Sequence, residues 1–397
     1  MPSQAKLLIF LSFVPSLAIG FIYTDLSFFL TTVRGFSAFF TGLVIMVMGI
    51  TMVATAIPLG ILADRYGRRK FLVVGNLLAS VMLAGFALTT NETLLFATAI
   101  VEGTTEAAFA SAGTAMLAEK AGDRSRTAAF SLSSFLGNIA YGLGGFAIPA
   151  VILIESLGYS STQSHVFLFL GLSVLSLAIT PILFRLGESR TSEKTKSLRE
   201  FMPRRSRGVL LKYAVTSLLV AFGAGLFVPL MTQWFEFAFR VSDAVSGPVI
   251  GISGFVIAAA TLGSPNLARR LGMVRAIVLT EGLSMIFMVA VPLSPSFPIA
   301  GGVYIVRSFL MNIASPLSTS LIMGLVEPGE RGAASGLSAA IWRFPNSLGA
   351  GIGGALLGAG FLSLPFYIAS VLYIASIILF WILFRNAKLP EEKLSQG

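Results

Sequence analysis

Two acidic residues, Glu102 and Glu106, lie four positions apart inside a long apolar stretch, in the segment ATAIVEGTTEAAF. Residues four apart share one face of a helix, so the two carboxyl groups are neighbours. In low-dielectric surroundings neighbouring carboxylates repel each other, which favours protonation of one of them. The pair is therefore suited to carrying a proton. We expect Glu102 to be the first proton-coupling candidate and Glu106 the second.

A third acid, Asp25, lies in the apolar run near the N-terminus and is a further proton-coupling candidate. Ionisable groups inside membrane spans are costly, and a functional role is the usual reason for their presence. Structural interpretations stay open for all three acids. In these interpretations, Glu106 would point into a water-filled vestibule, Asp25 would make a polar contact of an outer gate or end a helix, and Glu102 would neutralise a buried arginine.

Two arginines also lie within apolar stretches: Arg307, and Arg343 in the segment IWRFPN. A guanidinium fixed in such surroundings can hold a carboxylate or a phosphate through paired hydrogen bonds. It can equally be the electrostatic partner of a coupling acid. We expect a substrate cavity that contains both arginines together with polar and aromatic residues near them, namely Asn138, Tyr141, Asn312, Trp342 and Asn346.

The elements that position these residues are membrane-spanning helices. Hydrophobic residues make up 55% of the chain and charged residues 12%, with a mean hydropathy of +0.86, which excludes a water-soluble domain of this length. A helix that crosses the hydrocarbon layer needs about 20 apolar residues, because every backbone group must be hydrogen-bonded internally. The sequence predicts twelve such helices, over residues 7–32, 37–62, 71–90, 94–119, 127–154, 164–185, 209–238, 244–268, 276–293, 297–325, 333–359 and 362–384.

Basic residues fall almost entirely on one side of these spans, and only Arg34 and Arg240 fall on the other. The positive-inside rule then places both termini in the cytoplasm, and we expect a multi-pass protein of the plasma membrane. The net charge of +10 fits anionic lipid better than nucleic acid, because the basic residues lie in short loops. Residues 187–208 carry seven Lys/Arg and three Glu, which indicates a flexible linker between residues 1–186 and residues 209–397.

The two halves of the sequence repeat each other. A constant shift of 205 residues lays Gly67 on Gly272 and places Arg307 on Glu102. This predicts two six-helix bundles related by a pseudo-twofold axis, with the substrate site near the midplane between them. We infer that Glu102 and Arg307 face one another across or near that cavity.

Residues 60–70, with the sequence GILADRYGRRK, form a short, densely charged segment between two apolar runs. The pattern G-x-L-A-D-R-x-G-R-R-K resembles the loop between the second and third helices in the major facilitator superfamily of secondary transporters. This resemblance implies a twelve-helix protein working by alternating access. It also implies a cytoplasmic gate, in which Asp64 pairs with an arginine and with the start of the eleventh helix. The gate residues so implied are Gly60, Asp64, Arg65, Gly67 and Arg68.

Within that superfamily the chain is similar to the twelve-helix drug:proton antiporters, many of which have an acid on the first helix. The resemblance implies multidrug efflux, that is, proton-coupled export of small hydrophobic compounds. Two positions depart from exporter patterns, since Ala99 stands in place of an arginine and Tyr141 begins the pair found in place of Gly-Pro. The alternative is a proton-coupled symporter or uniporter of a small anionic solute held by Arg307 and Arg343. An apolar cavity wall would come from Phe135, Tyr141, Trp234, Trp342 and Phe344, with packing between helices as the alternative role for about half of them.

Other classes of protein find little support in the sequence. The chain has no cysteine, no clustered metal ligands and no nucleophile-elbow or phosphate-loop motif, so we expect no enzyme activity, no cofactor and no metal. The expected partners are the bilayer, a small-molecule substrate and protons, without nucleic acid, and we expect a monomer. His165 and the Glu236–Arg240 pair are interpreted as interfacial, and Glu281 as lying near the cytoplasmic interface.

Overall fold

The computed structural model describes residues 1–188, 205–327 and 330–387, without the side chains of 123–124, 126–127, 261–262, 265 and 331–333. Nearly all of this described chain is helical, and no strand is found in it. A π-helical turn, Phe29–Val33, extends α2, and a 3₁₀ turn, Val228–Leu230, leads from α8 to α9. The helices are α1 (Ser3–Leu11), α2 (Phe13–Phe28), α3 (Ala38–Tyr66), α4 (Arg68–Leu88), α5 (Glu92–Ala147), α6 (Ala150–Ser156), α7 (Ser161–Leu183), α8 (Arg207–Gly225), α9 (Met231–Phe239), α10 (Asp243–Leu271), α11 (Met273–Ala290), α12 (Phe297–Leu325), α13 (Arg331–Gly358) and α14 (Leu364–Phe384).

Each of the twelve predicted spans coincides with a long helical segment of the described chain, which confirms the predicted all-α membrane fold. Within the part of the chain that the structure describes, ten helical segments have the length and hydropathy needed to cross a membrane. The other two are the first part of α5, which carries Glu102 and Glu106, and α13, which carries Arg343. Helix α5 contains two predicted spans, because Gly122 interrupts its 56 residues with a φ of 65°.

Tight helix-to-helix turns use glycine at the same place in both halves. Gly67, with a φ of 111°, separates α3 from α4, and Gly272, with a φ of 80°, separates α10 from α11. A side chain with a Cβ rarely adopts such positive φ angles, whereas glycine does so without strain. The two positions are 205 residues apart, so the turns follow the repeat predicted from the sequence.

Close helix contacts follow the same repeat. A methyl group added at Gly20 would overlap the backbone carbonyl of Tyr141, and one added at Gly225 would overlap the carbonyl of Asn346. Both members of the second contact lie 205 residues after those of the first. Small residues let membrane helices approach until their backbones touch, and here they do so identically in each half.

The chain divides into two compact units, Met1–Thr195 with Pro229–Phe255 and Lys196–Val228 with Val256–Gly397. We call them unit 1 and unit 2. The division into residues 1–186 and 209–397 with a linker at 187–208 stays a prediction, and residues 189–204 lie outside the described part of the chain.

Two apolar cores lie among the described residues of unit 1. One is built around aromatic rings such as Phe21, Phe29 and Phe169. The other lies towards the end of the helices that carries the Gly67 turn and includes Leu72 and Met116. We call the opposite end of unit 1, where α2, α7, α9 and the start of α10 meet, the distal end. Unit 2 has a core of its own, formed by helices α8, α11, α12, α13 and α14.

Candidate functional site

Glu102 lies on α5 and is buried within unit 1, with 6% of its surface exposed. The next residue, Gly103, packs against the backbone of Met48 on α3, where a methyl group would overlap the Met48 carbonyl. This contact fixes the depth of Glu102 against α3. The Thr105 hydroxyl lies 3.4 Å from the carboxyl Oε2, and Glu106 acts on the same group electrostatically. Among the described residues, no ion pair involves Glu102, so the structure gives this buried carboxyl no cationic neighbour.

A second buried group lies at the distal end of unit 1 and joins Asp25 on α2, His165 on α7 and Asp243 at the start of α10. We call these three residues the distal cluster, and each is at most 2% exposed. His165 Nε2 lies 2.8 Å from Asp243 Oδ2 and 3.7 Å from Asp25 Oδ1. His165 Nδ1 lies 2.7 Å from the carbonyl oxygen of Ser161. Neither carboxyl oxygen of Asp25 makes a hydrogen bond of ordinary length among the described residues.

The surroundings of the distal cluster are aromatic on one side and polar on the other. The rings of Phe28 and Phe29 stack on the His165 imidazole at centroid distances of 6.3 and 5.6 Å. The Thr232 hydroxyl donates to the carbonyl of Thr24 at 2.6 Å, which ties α9 to α2 immediately before Asp25. The distal cluster is therefore held by close packing of α2, α7, α9 and α10.

The interpretation of His165 as an interfacial residue stays a prediction, but it did not foresee the contacts of the side chain. Its side chain is buried between two aspartates, because α9 and the start of α10 cover that end of α7. Asp243 was missed altogether, since an acid at the first residue of a helix usually serves as a favourable N-terminal charge. The signal available in the sequence was that the chain has one histidine and that it lies inside an apolar segment.

The ligand atoms of the distal cluster all lie within 4.8 Å of one another, a spacing at which histidine and aspartate can bind a metal ion. Two ligands about 2.0–2.1 Å from one tetrahedral ion lie roughly 3.3 Å apart. The 2.8 Å separation of His165 Nε2 and Asp243 Oδ2 is shorter than that and has the length of a hydrogen bond. The arrangement fits a shared proton better than a metal ion.

Arg307 lies on α12 inside unit 2 and is 4% exposed. Its Nη2 donates to the Tyr373 hydroxyl at 3.2 Å, and its guanidinium lies 4.7 Å from the ring centre of Phe227. The Nε atom has no hydrogen-bond partner in the described residues. Glu281 on α11 is half-buried and acts electrostatically on Tyr373, the residue that accepts from Arg307. A buried guanidinium held by aromatic rings keeps donors available for an anion.

The predicted cavity residues of unit 2 divide into two groups. The side-chain amides of Asn312 and Asn346 donate to the carbonyls of Ser308 and Ala221, so they stabilise the helices of their own unit. Arg343 is half-buried, while its neighbours Trp342 and Phe344 are 41% and 44% exposed. The structure thus leaves aromatic surface uncovered around Arg343.

In unit 1 the predicted cavity residues Asn138 and Tyr141 are half-buried, and Phe135 is exposed. Trp234 is 2% exposed and packs edge-on against Phe235 and Phe239, so its assignment to a cavity wall is wrong. Residues 231–235 at the start of α9 are all buried, so packing in unit 1 covers this part of the helix on every side.

A cavity of about 270 Å³ lies in unit 1 beside the junction of α1 and α2. The Ser12 hydroxyl donates to the Ile9 carbonyl at 2.7 Å and the Ser16 hydroxyl to the Ser12 carbonyl at 2.9 Å, which leaves both hydroxyl oxygens able to accept hydrogen bonds. This cavity was not predicted from the sequence. Its lining includes the hydroxyl residues Ser12, Ser16, Thr114, Ser133 and Ser134 and the rings of Phe109 and Phe130.

The family profile of the Major Facilitator Superfamily matches residues 8–350. The chain belongs to this superfamily. It is 25% identical over 360 residues to the uncharacterized MFS-type transporter YqjV of Bacillus subtilis, covering 87% of this chain and 84% of that protein. It is also 23% identical over 322 residues to the uncharacterized membrane protein YJR124C of Saccharomyces cerevisiae, covering 68% of this chain and 71% of that one.

Solved structures of MFS transporters share the fold. A mutant form of the nucleoside transporter NupG superposes with a TM-score of 0.80 at 14% identity, covering 96% of this chain and all of that one. A bacterial homolog of the human lysosomal transporter Spinster gives 0.73 at 15% identity, with 96% and 94% covered. The human organic anion transporter MFSD10 gives 0.66 at 15% identity, with 96% and 100% covered. The protein is accordingly an MFS transporter of the multi-pass membrane type.

The loop of this MFS chain that resembles a cytoplasmic gate is stabilised by ion pairs within unit 1. Arg68 Nε lies 2.7 Å from Asp64 Oδ1, and Arg68 Nη1 lies 3.0 Å from Glu119 Oε2 on α5. Arg65 is exposed and lies over the ring of Tyr66. The predicted pairing of Asp64 with the start of the eleventh helix stays a prediction, as does the opposition of Glu102 and Arg307.

Proposed function

We propose that this MFS transporter couples the inward movement of protons to the export of small, largely hydrophobic compounds. It would act as a monomer in the plasma membrane with both termini in the cytoplasm. The observation that carries the proposal is Glu102, a buried carboxyl on α5 without an ion-pair partner among the described residues. Such a group changes its charge when it gains or loses a proton, and in apolar surroundings that change strongly alters the free energy of a conformation.

Proton coupling follows from this change of charge. A protonated Glu102 is neutral and tolerates a closed, water-excluding environment, whereas a charged one favours a conformation in which water reaches it. Protonation therefore shifts the balance between two conformations of the transporter. Glu106, one helical turn away, raises the free energy of the doubly charged state and so strengthens the shift.

The substrate class rests on the surfaces that the structure leaves uncovered. Phe135 in unit 1, and Trp342 and Phe344 in unit 2, expose aromatic rings. Aromatic surfaces of this kind bind varied apolar compounds through contact area rather than through a fixed set of hydrogen bonds. The hydroxyl-lined cavity beside Ser12 supplies acceptors for a polar group on such a compound.

The alternative is a symporter or uniporter of a small anionic solute, and Arg307 is the observation that favours it. Its guanidinium is buried on aromatic rings with the Nε atom unpartnered among the described residues, and Arg343 lies next to exposed aromatic rings. A carboxylate would complete the hydrogen bonds of such a guanidinium. MFSD10 is named an organic anion transporter and NupG a nucleoside transporter, so the fold carries both charged and neutral solutes.

Transport by purified protein in proteoliposomes with an imposed pH gradient separates these functions. Export of a lipophilic cation that needs the gradient and is lost in Glu102→Gln supports the first. Glu92→Gln is the matched control, because Glu92 lies on the same helix but is exposed. Uptake of an organic anion that is abolished by Arg307→Gln, and preserved in Arg240→Gln, replaces it with the second. Transport of either solute that Glu102→Gln leaves fully gradient-driven contradicts the coupling role of Glu102.

A further inference from the structure

The hydrogen bonds of His165 indicate how many protons His165 and Asp243 hold together. The Ser161 carbonyl only accepts, so the 2.7 Å contact requires that Nδ1 carries a hydrogen and donates it. The 2.8 Å contact of Nε2 with Asp243 Oδ2 requires a second hydrogen. Either Nε2 donates it as part of an imidazolium, or a protonated Asp243 donates it to Nε2. In both cases the distal cluster holds one proton more than a neutral imidazole with an ionised Asp243.

With Asp25 ionised, removal of that proton would leave the distal cluster without any donor between its groups. The Nε2 lone pair would then face the Asp243 carboxylate at hydrogen-bond distance, with the Asp25 carboxyl 3.7 Å from the same nitrogen. All three side chains are buried, so water does not compensate. Buried polar groups that lose their partners in this way cost free energy, and like charges add repulsion. Packing at the distal end is thus tied to the presence of the proton.

We propose that Asp25, His165 and Asp243 form a proton-binding site that keeps the distal ends of the spans packed together and lets them separate when the proton leaves. The site joins one helix of each half, α2 and α10, through α7. It rests on the proposed function in one respect, namely that the proton it binds is the coupling ion. Neither His165 nor Asp243 is among the proton-coupling candidates predicted from the sequence.

Other charges on the surrounding elements do not replace this proton. Arg34, after the π-helical turn, lies over the Phe29 ring and donates to the carbonyl of Ala87. Burial lowers the pKa of its guanidinium from the ordinary value, since the charged form loses water contact. On α9, Glu236 pairs with the largely exposed Arg240 at 3.6 Å. The charges that act on the imidazole are therefore those of Asp25 and Asp243.

Pulsed electron paramagnetic resonance on spin-labelled protein in nanodiscs tests this proposal without substrate or gradient. The chain has no cysteine, so single cysteines introduced at Thr90 and Ser242, both exposed near the distal end of unit 1, take labels selectively. Labels are attached at one pH and distances are then measured from about pH 5 to pH 9. For one proton, the ratio of short to long distances should fall about tenfold per pH unit within the window where the proton is lost.

Two variants test whether the distal cluster causes the change of the label distances with pH. Asp243→Asn should keep the short distance at high pH, because its amide donates the hydrogen bond that a carboxylate cannot, and His165→Gln should make the ratio independent of pH. Glu236→Gln is the control and should respond as the unmodified protein does. The proposal would be overturned by a distance distribution that does not change with pH. It would also be overturned if the distances in Asp243→Asn changed with pH as much as in the unmodified protein. Because no transport is measured, loss of proton-driven transport alone leaves the proposal standing, and the proposed function fails only in the transport assay.

Discussion

The interiors of the two units differ at positions that the repeat makes equivalent. In unit 1 the Asn76 amide donates to the Ser176 carbonyl at 2.7 Å and to the Thr180 hydroxyl at 2.8 Å, so α4 and α7 are joined by neutral hydrogen bonds. Glu281 is found 205 residues later, inside unit 2, where it acts on Tyr373 beside Arg307. One unit fills this position with a satisfied amide and the other with an ionisable group.

This difference indicates that the two units have different roles. Unit 1 joins α4 and α7 through neutral hydrogen bonds and buries its acids elsewhere, at Glu102 and in the distal cluster. Unit 2 places a cation, Arg307, among aromatic rings in its interior. Glu102 and Arg307 lie at equivalent positions of the repeat, and we propose that the first binds the coupling proton and that the second is the candidate anion site.

The largest effect on stability is expected where the two units are alike. Gly20→Ala and Gly225→Ala each insert a methyl group into a backbone contact, and each should lower the free energy of unfolding by about 3 kcal/mol. Unfolding in mixed detergent micelles measures this. Gly171→Ala and Gly302→Ala are the controls, since nothing lies near a methyl group there, and they should be neutral. A loss in only one unit contradicts equivalent packing.

A smaller loss is expected from Tyr373→Phe, which removes the hydroxyl that accepts from Arg307. The buried guanidinium then lacks an acceptor, which should reduce stability by about 2 kcal/mol. Thermal unfolding monitored by tryptophan fluorescence compares this variant with Tyr367→Phe, whose ring is 40% exposed on the same helix. Equal melting temperatures for the two variants would show that the aromatic rings alone hold Arg307.

Substitution at the compared position itself should sharpen the contrast. Asn76→Leu leaves the polar groups of α7 unsatisfied and should destabilise the protein by about 1–2 kcal/mol. Glu281→Gln replaces an ionisable group by a neutral one of similar size and should change stability by less than about 0.5 kcal/mol. Detergent-induced inactivation, followed as loss of the monodisperse chromatographic peak, ranks the two variants. The reverse ranking would mean that Glu281 is the structural group.

A small effect is also expected at the gate loop. Arg68→Lys keeps the charge but loses the simultaneous contacts with Asp64 and Glu119, whose side chains are 37% and 43% exposed. Solvent screens such pairs, so the loss should be under about 1 kcal/mol. Thermal unfolding at several salt concentrations tests whether the lost ion pairs cause this decrease in stability, with Arg65→Lys as the control. A loss that salt leaves unchanged would indicate packing of the Arg68 side chain instead.

Sequence reasoning worked where one-dimensional signals carry the physics. Span length follows from bilayer thickness, so the twelve predicted helices coincide with helical segments, whereas the coupling role of Glu102 stays a prediction. It did not find the distal cluster, because Asp25, His165 and Asp243 are far apart in sequence and only the packing of α2, α7 and α10 brings them together. Trp234 was misassigned for the same reason, since its burial depends on how α9 packs in unit 1.

Substrate-induced proton movement tests the coupling role of Glu102 most directly. Protein is reconstituted into vesicles that contain a pH-sensitive dye, and a lipophilic cation or an organic anion is added without any imposed gradient. Coupling predicts a pH change in the vesicle lumen on addition of the transported solute, which Glu102→Gln abolishes and Glu92→Gln preserves. Solute movement without a pH change, or an unaltered pH change in Glu102→Gln, would contradict it.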